Sequence, residues 1–207
     1  MIRKNLSELL HSHNTFKHYN FSNLVLEDKK KSKEGLQFNK AHFFISSPRD
    51  KFLKAFVEGL LNYPSLRLGR SKFNIDSIEI LDKKDFNNVV EIKTLSPIYI
   101  QTKRLKDGNL VSWDLSPEDP KFYENLHKNL IKRYSSFYGK KPNKDHFDVL
   151  EVYSHKRRRY KIKNTYRRCS EMHFKLQISK ELINFVYDSG LGEKNSMGFG
   201  CIEVIDD

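Results

Sequence analysis

From Glu171 to Ser179 the chain alternates without a break. Met172, Phe174, Leu176 and Ile178 are apolar, and His173, Lys175 and Gln177 between them are polar. Successive side chains of a strand point to opposite faces, so this segment predicts a strand with one face in a core and the other in water. Its neighbours narrow the fold further. Upstream, Phe122, Leu126, Leu130, Tyr134 and Phe137 fall at helical spacing, and before them lies a β-rich run over 89–103. Strands are predicted at about 146–163 and 166–178. Downstream, Ser179 can cap a short helix whose stripe is Leu182, Ile183, Val186 and Tyr187; a glycine-rich segment then enters a last strand, CIEVI. The order is strand, helix, strand, strand, helix, strand, which is that of a ferredoxin-like domain.

The first half has the same order with its opening strand missing. Ile2, Leu6, Leu9 and Leu10 fall at helical spacing. Strands are expected over 17–26 and 38–47, around a charged turn that holds Lys29, Lys30, Lys31 and Lys33. Ser47-Pro48 opens a helix with Phe52, Leu53, Phe56, Val57, Leu60 and Leu61 on its apolar side, and Asn62-Tyr63-Pro64 ends it. Ile75, Ile78, Ile80 and Leu81 predict a further strand. The expected fold is therefore α+β, with two tandem ferredoxin-like (RRM-like) domains over 1–88 and 89–207. The first, lacking its first strand, is expected to hold a three-stranded sheet with an uncovered apolar edge.

Charge points to a partner. Lys and Arg number 38 against 26 Asp and Glu, a net charge of +12. Such an excess fits a polyanion, a nucleic acid or an acidic membrane surface. No apolar run approaches the ~20 residues of a membrane span. The N-terminus has no long apolar stretch of a signal peptide. The two cysteines, Cys169 and Cys201, stand far apart and outside any C-x-x-C. That fits a reducing compartment and supplies no zinc framework.

The glycine-rich segment SGLGEKNSMGFG places Gly190, Gly192, Gly198 and Gly200 in a G-x-G-x(5)-G-x-G pattern. It follows a helix and precedes a strand, the reverse of a P-loop or a dinucleotide fingerprint. It reads either as a helix C-cap with a connector or as a loop whose N–H groups meet phosphates, with Lys194 adding charge. GLGEKNSMGFGCIEV closely resembles the C-terminal signature of the CRISPR-associated endoribonucleases that cut precursor CRISPR RNA (Cas protein family six, of the RAMP superfamily). TLSPIYIQT at 94–102, WDLSPEDPKFYENLHKNL at 113–130 and HNTFKHYNFSNL at 13–24 resemble the same family, in order along the chain. The resemblance implies two ferredoxin-like domains and no cofactor or metal. It implies cleavage within CRISPR repeat RNA by 2′-OH attack, giving 5′-hydroxyl and 2′,3′-cyclic phosphate ends. It also implies a prokaryotic cytoplasmic protein. Protein partners it allows are other CRISPR-associated subunits or a second copy of the chain. A non-catalytic RNA-binding subunit of the same superfamily is the rival reading.

Attack of a 2′-OH on its phosphate needs a base, an acid and a cation. Histidine titrates near neutrality and serves as either of the first two; lysine can hold developing charge. His11, His13 and Lys17 lie within seven residues. The family carries its catalytic histidine at the end of its first helix with a lysine soon after, so His11 matches best and His13 second. The resemblance assigns acid and base roles to His11 and His13 and phosphate stabilisation to Lys17. Tyr19 is expected to stand in for a family tyrosine that lies further upstream. The remaining candidates bind RNA. Lys156, Arg157, Arg158, Arg159, Lys161, Lys163, Arg167 and Arg168 crowd one segment, with Tyr160 and Tyr166 interleaved. Gly190, Gly192, Lys194, Asn195, Gly198 and Gly200 are the loop's expected contributors. Trp113 is expected in the core, and His18 at a polar surface.

Overall fold

The computed structural model describes residues 16–33, 35–69 and 71–205; His11, His13 and the helix expected at 2–10 lie outside them. The second half is built on β9 (Val89–Thr94), β12 (Phe147–Ile162), β13 (Thr165–Ile178) and β14 (Ile202–Ile205). They form one antiparallel sheet in the order β12-β13-β9-β14. Helices α2 (Pro120–Tyr138) and α3 (Lys180–Ser189) complete it. The predicted stripes are its core: Phe122, Leu126, Leu130, Phe174, Leu176, Ile178, Leu182, Ile183 and Val186 are all buried. Each such side chain stabilises the fold by about 1.5–3 kcal/mol, and Leu176→Ala would cost about 2–5 kcal/mol. Pro120 opens α2, and Gly139 closes it in the left-handed region at φ 70°.

The β-rich run at 89–103 is not one strand. β9 ends at Thr94, where the Leu95 and Ser96 N–H groups both donate to the Cys201 carbonyl. The chain then re-emerges as a separate hairpin of β10 (Gln101–Lys106) and β11 (Asn109–Asp114).

The first half departs further from expectation. One irregular hairpin runs from Asn20 to Ser46. It comprises β1 (Asn20–Phe21), β2 (Val25–Glu27) and β3 (Lys30–Ser32), paired with β4 (Gly35–Gln37), β5 (Lys40–His42) and β6 (Ile45–Ser46). Phe21 faces Ile45 and Val25 faces His42, so four residues on one strand match three on the other. The lysine-rich turn does sit at its tip. α1 (Asp50–Asn62) follows, but its start is Arg49 rather than Ser47. The Ser47 hydroxyl instead donates to the His18 carbonyl at 2.7 Å. β7 (Ser65–Leu68) and β8 (Ser71–Asn74) make a second hairpin.

Among the described residues these strands pair only two by two, so the three-stranded first sheet is not found there. The strand expected over 75–81 is absent too. The Ile75 N–H, bonded to the Pro64 carbonyl, ends the ladder, and Ile80 and Leu81 lie exposed. Apolar spacing makes a strand only where another edge accepts its hydrogen bonds.

Candidate nucleic-acid interface

β9 pairs with β13 only over 173–177, so the β12–β13 hairpin projects well beyond the sheet. The predicted basic segment lies on that projection. Strand alternation sorts it into two faces. Arg157, Arg159 and Lys161 share one with Tyr166 and Arg168, and the Arg159 guanidinium sits 4.7 Å from the Tyr166 ring. Lys156, Arg158 and Tyr160 share the other with Arg167 and the buried Cys169. Arg159 and Arg168 are directly opposite each other. Like charges in that position disfavour the hairpin, so a polyanion would relieve a strain that the fold tolerates.

The cations are not equal. Arg157 pairs with Glu118 at 2.8 Å, Arg158 with Glu171 at 2.7 Å, and Arg167 lies 3.9 Å from Asp114. Among the described residues, Lys156, Arg159, Lys161, Lys163 and Arg168 have no carboxylate partner.

The glycine loop is a packing device. A Cβ on Gly192 would lie 2.6 Å from the Tyr99 carbonyl oxygen, and one on Gly200 would lie 1.8 Å from that of Leu191. Gly190, Gly192, Asn195 and Gly200 are buried, and Gly198 is half-buried under the Phe21 ring. The loop's N–H groups are largely spent inside the fold. Those of Gly190, Leu191, Glu193, Gly198 and Gly200 reach the carbonyls of Val186, Gly200, Tyr99, Asn195 and Pro97. The Asn195 amide braces the loop by donating to Leu191 and Phe199 carbonyls at 3.2 and 3.0 Å. The N–H groups of Gly190, Gly198 and Gly200, expected to meet phosphates, are thus bonded to carbonyls within the fold.

Arg133 of α2 fixes the start of the loop. It is buried and donates to the carbonyls of Ser189, Gly190 and Gly192 at 2.5, 2.8 and 3.3 Å. Burial pulls its pKa down to about 9. The negative end of α3 and its free carbonyls nonetheless suit a cation there.

Lys194 is half-buried in the loop, and Tyr99 joins it to the hairpin. The Tyr99 ring is fully buried. The Lys194 ammonium lies 5.7 Å and the Arg167 guanidinium 5.8 Å from its centroid. Its hydroxyl donates to Asp114 at 2.9 Å and accepts from Arg167 at 3.2 Å. Burial first, then the Asp114 carboxylate, holds that phenol far above its ordinary pKa.

The N-terminal segment reaches the same loop from the other side. Lys17 is exposed, and three residues later the Asn20 amide donates to the Asp188 carbonyl at 3.0 Å. Tyr19 stacks on Phe52 at 4.7 Å and hydrogen-bonds Ser196, while burial raises its pKa. His18, expected at a polar surface, is buried against Phe137 and Phe185 at φ 46°. Burial, then the charges of Arg133 and Arg49, lowers its pKa to about 4.

Comparison with known proteins decides the family. The family model for the N-terminal part of CRISPR-associated protein Cas6 matches residues 2–79, and that for its C-terminal part matches 81–204. The chain belongs to the Cas6 family. A relative named CRISPR-associated endoribonuclease Cas6 1, from Methanocaldococcus jannaschii, is 42% identical over 203 residues, covering 96% of this chain and 78% of that protein. CRISPR-associated endoribonuclease Cas6 of Pyrococcus furiosus is 32% identical, over 87% of this chain and 68% of that one. Among solved structures, one of a Cas6-related gene from Pyrococcus furiosus superposes with a TM-score of 0.89 at 31% identity, covering 100% of this chain and 85% of that one. Another, described as an RAMP protein binding different RNA substrates, gives 0.86 at 30% identity, over 99% and 85%.

Trp113 is what sequence reasoning missed in this Cas6 chain. It is 38% exposed on β11, not in the core. The guanidiniums of Arg104 and Arg168 approach its ring centroid at 4.4 and 5.8 Å. A cleft of about 450 Å³ opens there between the β10–β11 hairpin and the basic hairpin. A signal was present: Trp113 shares a two-stranded hairpin with Lys103, Arg104 and Lys106, a poor setting for a buried ring.

Proposed function

We propose that this chain cleaves CRISPR repeat RNA without a metal. A 2′-hydroxyl attacks its adjacent phosphorus as a base removes its proton. The P–O5′ bond breaks, an acid protonates the leaving oxygen, and 2′,3′-cyclic phosphate and 5′-hydroxyl ends result. His11 and His13 share the base and acid roles, and Lys17 holds the charge of the phosphorane. Lys156, Arg157, Arg158, Arg159, Lys161, Lys163, Arg167, Arg168 and Lys194 hold the RNA backbone. The observation that carries the reading is the projecting hairpin. It concentrates cations without carboxylate partners on a strand pair that self-repulsion alone would disfavour, in a chain of the Cas6 family.

The β12-β13-β9-β14 order with two helices between strands supports a ferredoxin-like second domain. A degenerate counterpart over 1–88 completes the tandem reading. RNA is the partner the charge favours; other CRISPR-associated subunits and a second copy of the chain are further proposed partners, in a prokaryotic cytoplasm.

The test is cleavage of the repeat RNA in EDTA with the ends mapped. His11→Ala and His13→Ala should each slow cleavage by ~10² to 10⁴ while leaving binding largely intact. A single 2′-deoxy residue just upstream of the cut should stop the reaction. Undiminished cleavage of that substrate refutes the mechanism, and loss of activity in EDTA points to a metal. RNA binding with no cleavage under any condition would favour the non-catalytic subunit.

A further inference from the structure

The cleft at Trp113 has two features that do not belong together in a folding core. Its aromatic ring is 38% exposed, and five arginines stand in the walls around it beside Asp114 and Asp119. The carboxylates at the same place are occupied. Asp114 takes the Tyr99 hydroxyl and the Arg168 N–H, and Asp119 takes the Ser116 N–H at 3.1 Å. Among the described residues, Arg104, Arg159 and Arg168 have no carboxylate partner. Arg157 and Arg158 are paired with Glu118 and Glu171, and the three remaining arginines outnumber the two aspartates, so the cleft is net cationic around a π-surface.

We infer that Trp113 is a stacking shelf for one unpaired nucleobase of the bound strand, with Arg104, Arg159 and Arg168 holding the phosphates on either side of that base. This rests on the RNA-binding reading above and adds a base-recognition point to it. Every base has a π-face, so stacking on an exposed indole tolerates any base, while the cations track the backbone. Arg104 now covers the ring at 4.4 Å. It is exposed and has no carboxylate partner among the described residues, so a base can displace it and leave its guanidinium free to meet a phosphate. Arg168 is placed to stay: its backbone N–H is anchored to Asp114 at 2.9 Å, while its side chain is free of carboxylates. Duplex RNA cannot use the shelf, because its bases are already stacked on one another.

Trp113 is the chain's one tryptophan, so its emission reports this site alone, in the unaltered protein. The probes are a single-stranded oligoadenylate of about ten nucleotides and an abasic ribose-phosphate oligomer of the same length. The oligoadenylate should quench and shift Trp113 emission as it binds; the abasic oligomer should bind by charge and leave emission nearly unchanged. Trp113→Ala should weaken oligoadenylate binding roughly 5- to 150-fold and abasic binding by less than about twofold. Trp113→Tyr should keep most of the affinity. Equal quenching by both oligomers, or unchanged oligoadenylate affinity in Trp113→Ala, would overturn the shelf while leaving the RNA interface standing. Failure of both oligomers to bind at low salt would instead overturn the interface, and the shelf with it. Quenching by an acidic peptide as strong as that by oligoadenylate would assign the cleft to a protein partner and overturn the inference.

Discussion

Three cations of the projecting hairpin should contribute strongly to the salt dependence of RNA binding, and Arg157 and Arg158 should hardly touch it. Arg159, Lys161 and Arg168 are exposed and lack carboxylate partners among the described residues. Each phosphate they neutralise releases a condensed counterion, worth about 0.7 in the slope of log affinity against log salt for a single strand. Replacing all three with alanine should flatten the slope by about 2. Between about 50 and 200 mM salt that difference amounts to roughly twentyfold in affinity. Arg157 and Arg158 differ. They leave Glu118 and Glu171 behind when they turn to phosphate, so little net charge is added to the interface. Their double alanine variant should shift the slope by less than about 0.5. Conversely, Glu118→Gln frees Arg157 and should steepen the slope by up to about 0.7. The assay is fluorescence anisotropy of labelled single-stranded repeat RNA across a potassium chloride series. Equal slope changes for the two arginine and lysine sets would refute the distinction. An unchanged slope in the first set would remove the hairpin from the interface.

Three further outcomes follow from packing and burial. Gly200→Ala meets a backbone oxygen at 1.8 Å at φ +71°, whereas Gly139→Ala at φ +70° meets nothing within 4 Å. The first should cost more than about 4 kcal/mol and the second about 1–2, a contrast that melting temperatures resolve and that equal losses would contradict. Arg133→Met leaves three buried carbonyls without their donor. It should cost about 3 kcal/mol in urea unfolding even after the guanidinium's burial penalty is relieved, with Arg133→Lys only a partial rescue because an ammonium lacks the fork. His18 is held at about 4 against 6.5 in the unfolded chain, so the folded state binds fewer protons. Stability from this group is full above about pH 6.5 and falls by up to about 3 kcal/mol as pH drops through 4. Asp188, raised to about 6 chiefly by burial, opposes this by favouring the fold as pH falls through 6. His18→Phe should therefore reduce the acid-side loss of stability; an unchanged pH profile would show that His18 is not its source.

The second half was legible because its signals are local. Met172 to Ile178 alternate, Phe122 to Tyr134 repeat at helical spacing, and both stripes are buried as read. The first half was less legible because its order comes from distant pairs. Phe38 stacks on Phe73 at 5.6 Å and Tyr19 on Phe52 at 4.7 Å, and no periodicity announces either contact. His18 was misplaced for the same reason: its burial depends on Phe137 and Phe185, more than a hundred residues away. Within the proposed interface, the basic segment was legible because charge is visible in composition, and pairing places it on the projecting hairpin. Trp113 was missed because a lone tryptophan is more often core, and only the β10–β11 pairing brings Arg104 over its ring.

Glycine spacing alone could not separate a cradle from a joint, because both need positions without side chains. What separates them is where the backbone N–H groups go. Here they go to Val186, Gly200, Tyr99, Asn195 and Pro97, inside the fold. Room denied to Cβ atoms is taken by Phe21, Tyr99 and Leu191. Through Phe21 and Asn20 the loop grips β1, and through Tyr99 it meets Arg167 of the hairpin. The loop thus couples the segment that follows Lys17 to the surface proposed to hold RNA. Catalysis by positioned groups is sensitive to displacements on the order of 1 Å. Contacts with no space for a methyl group permit less movement than that. A joint needs bonded N–H groups and close neighbours, and this loop has both.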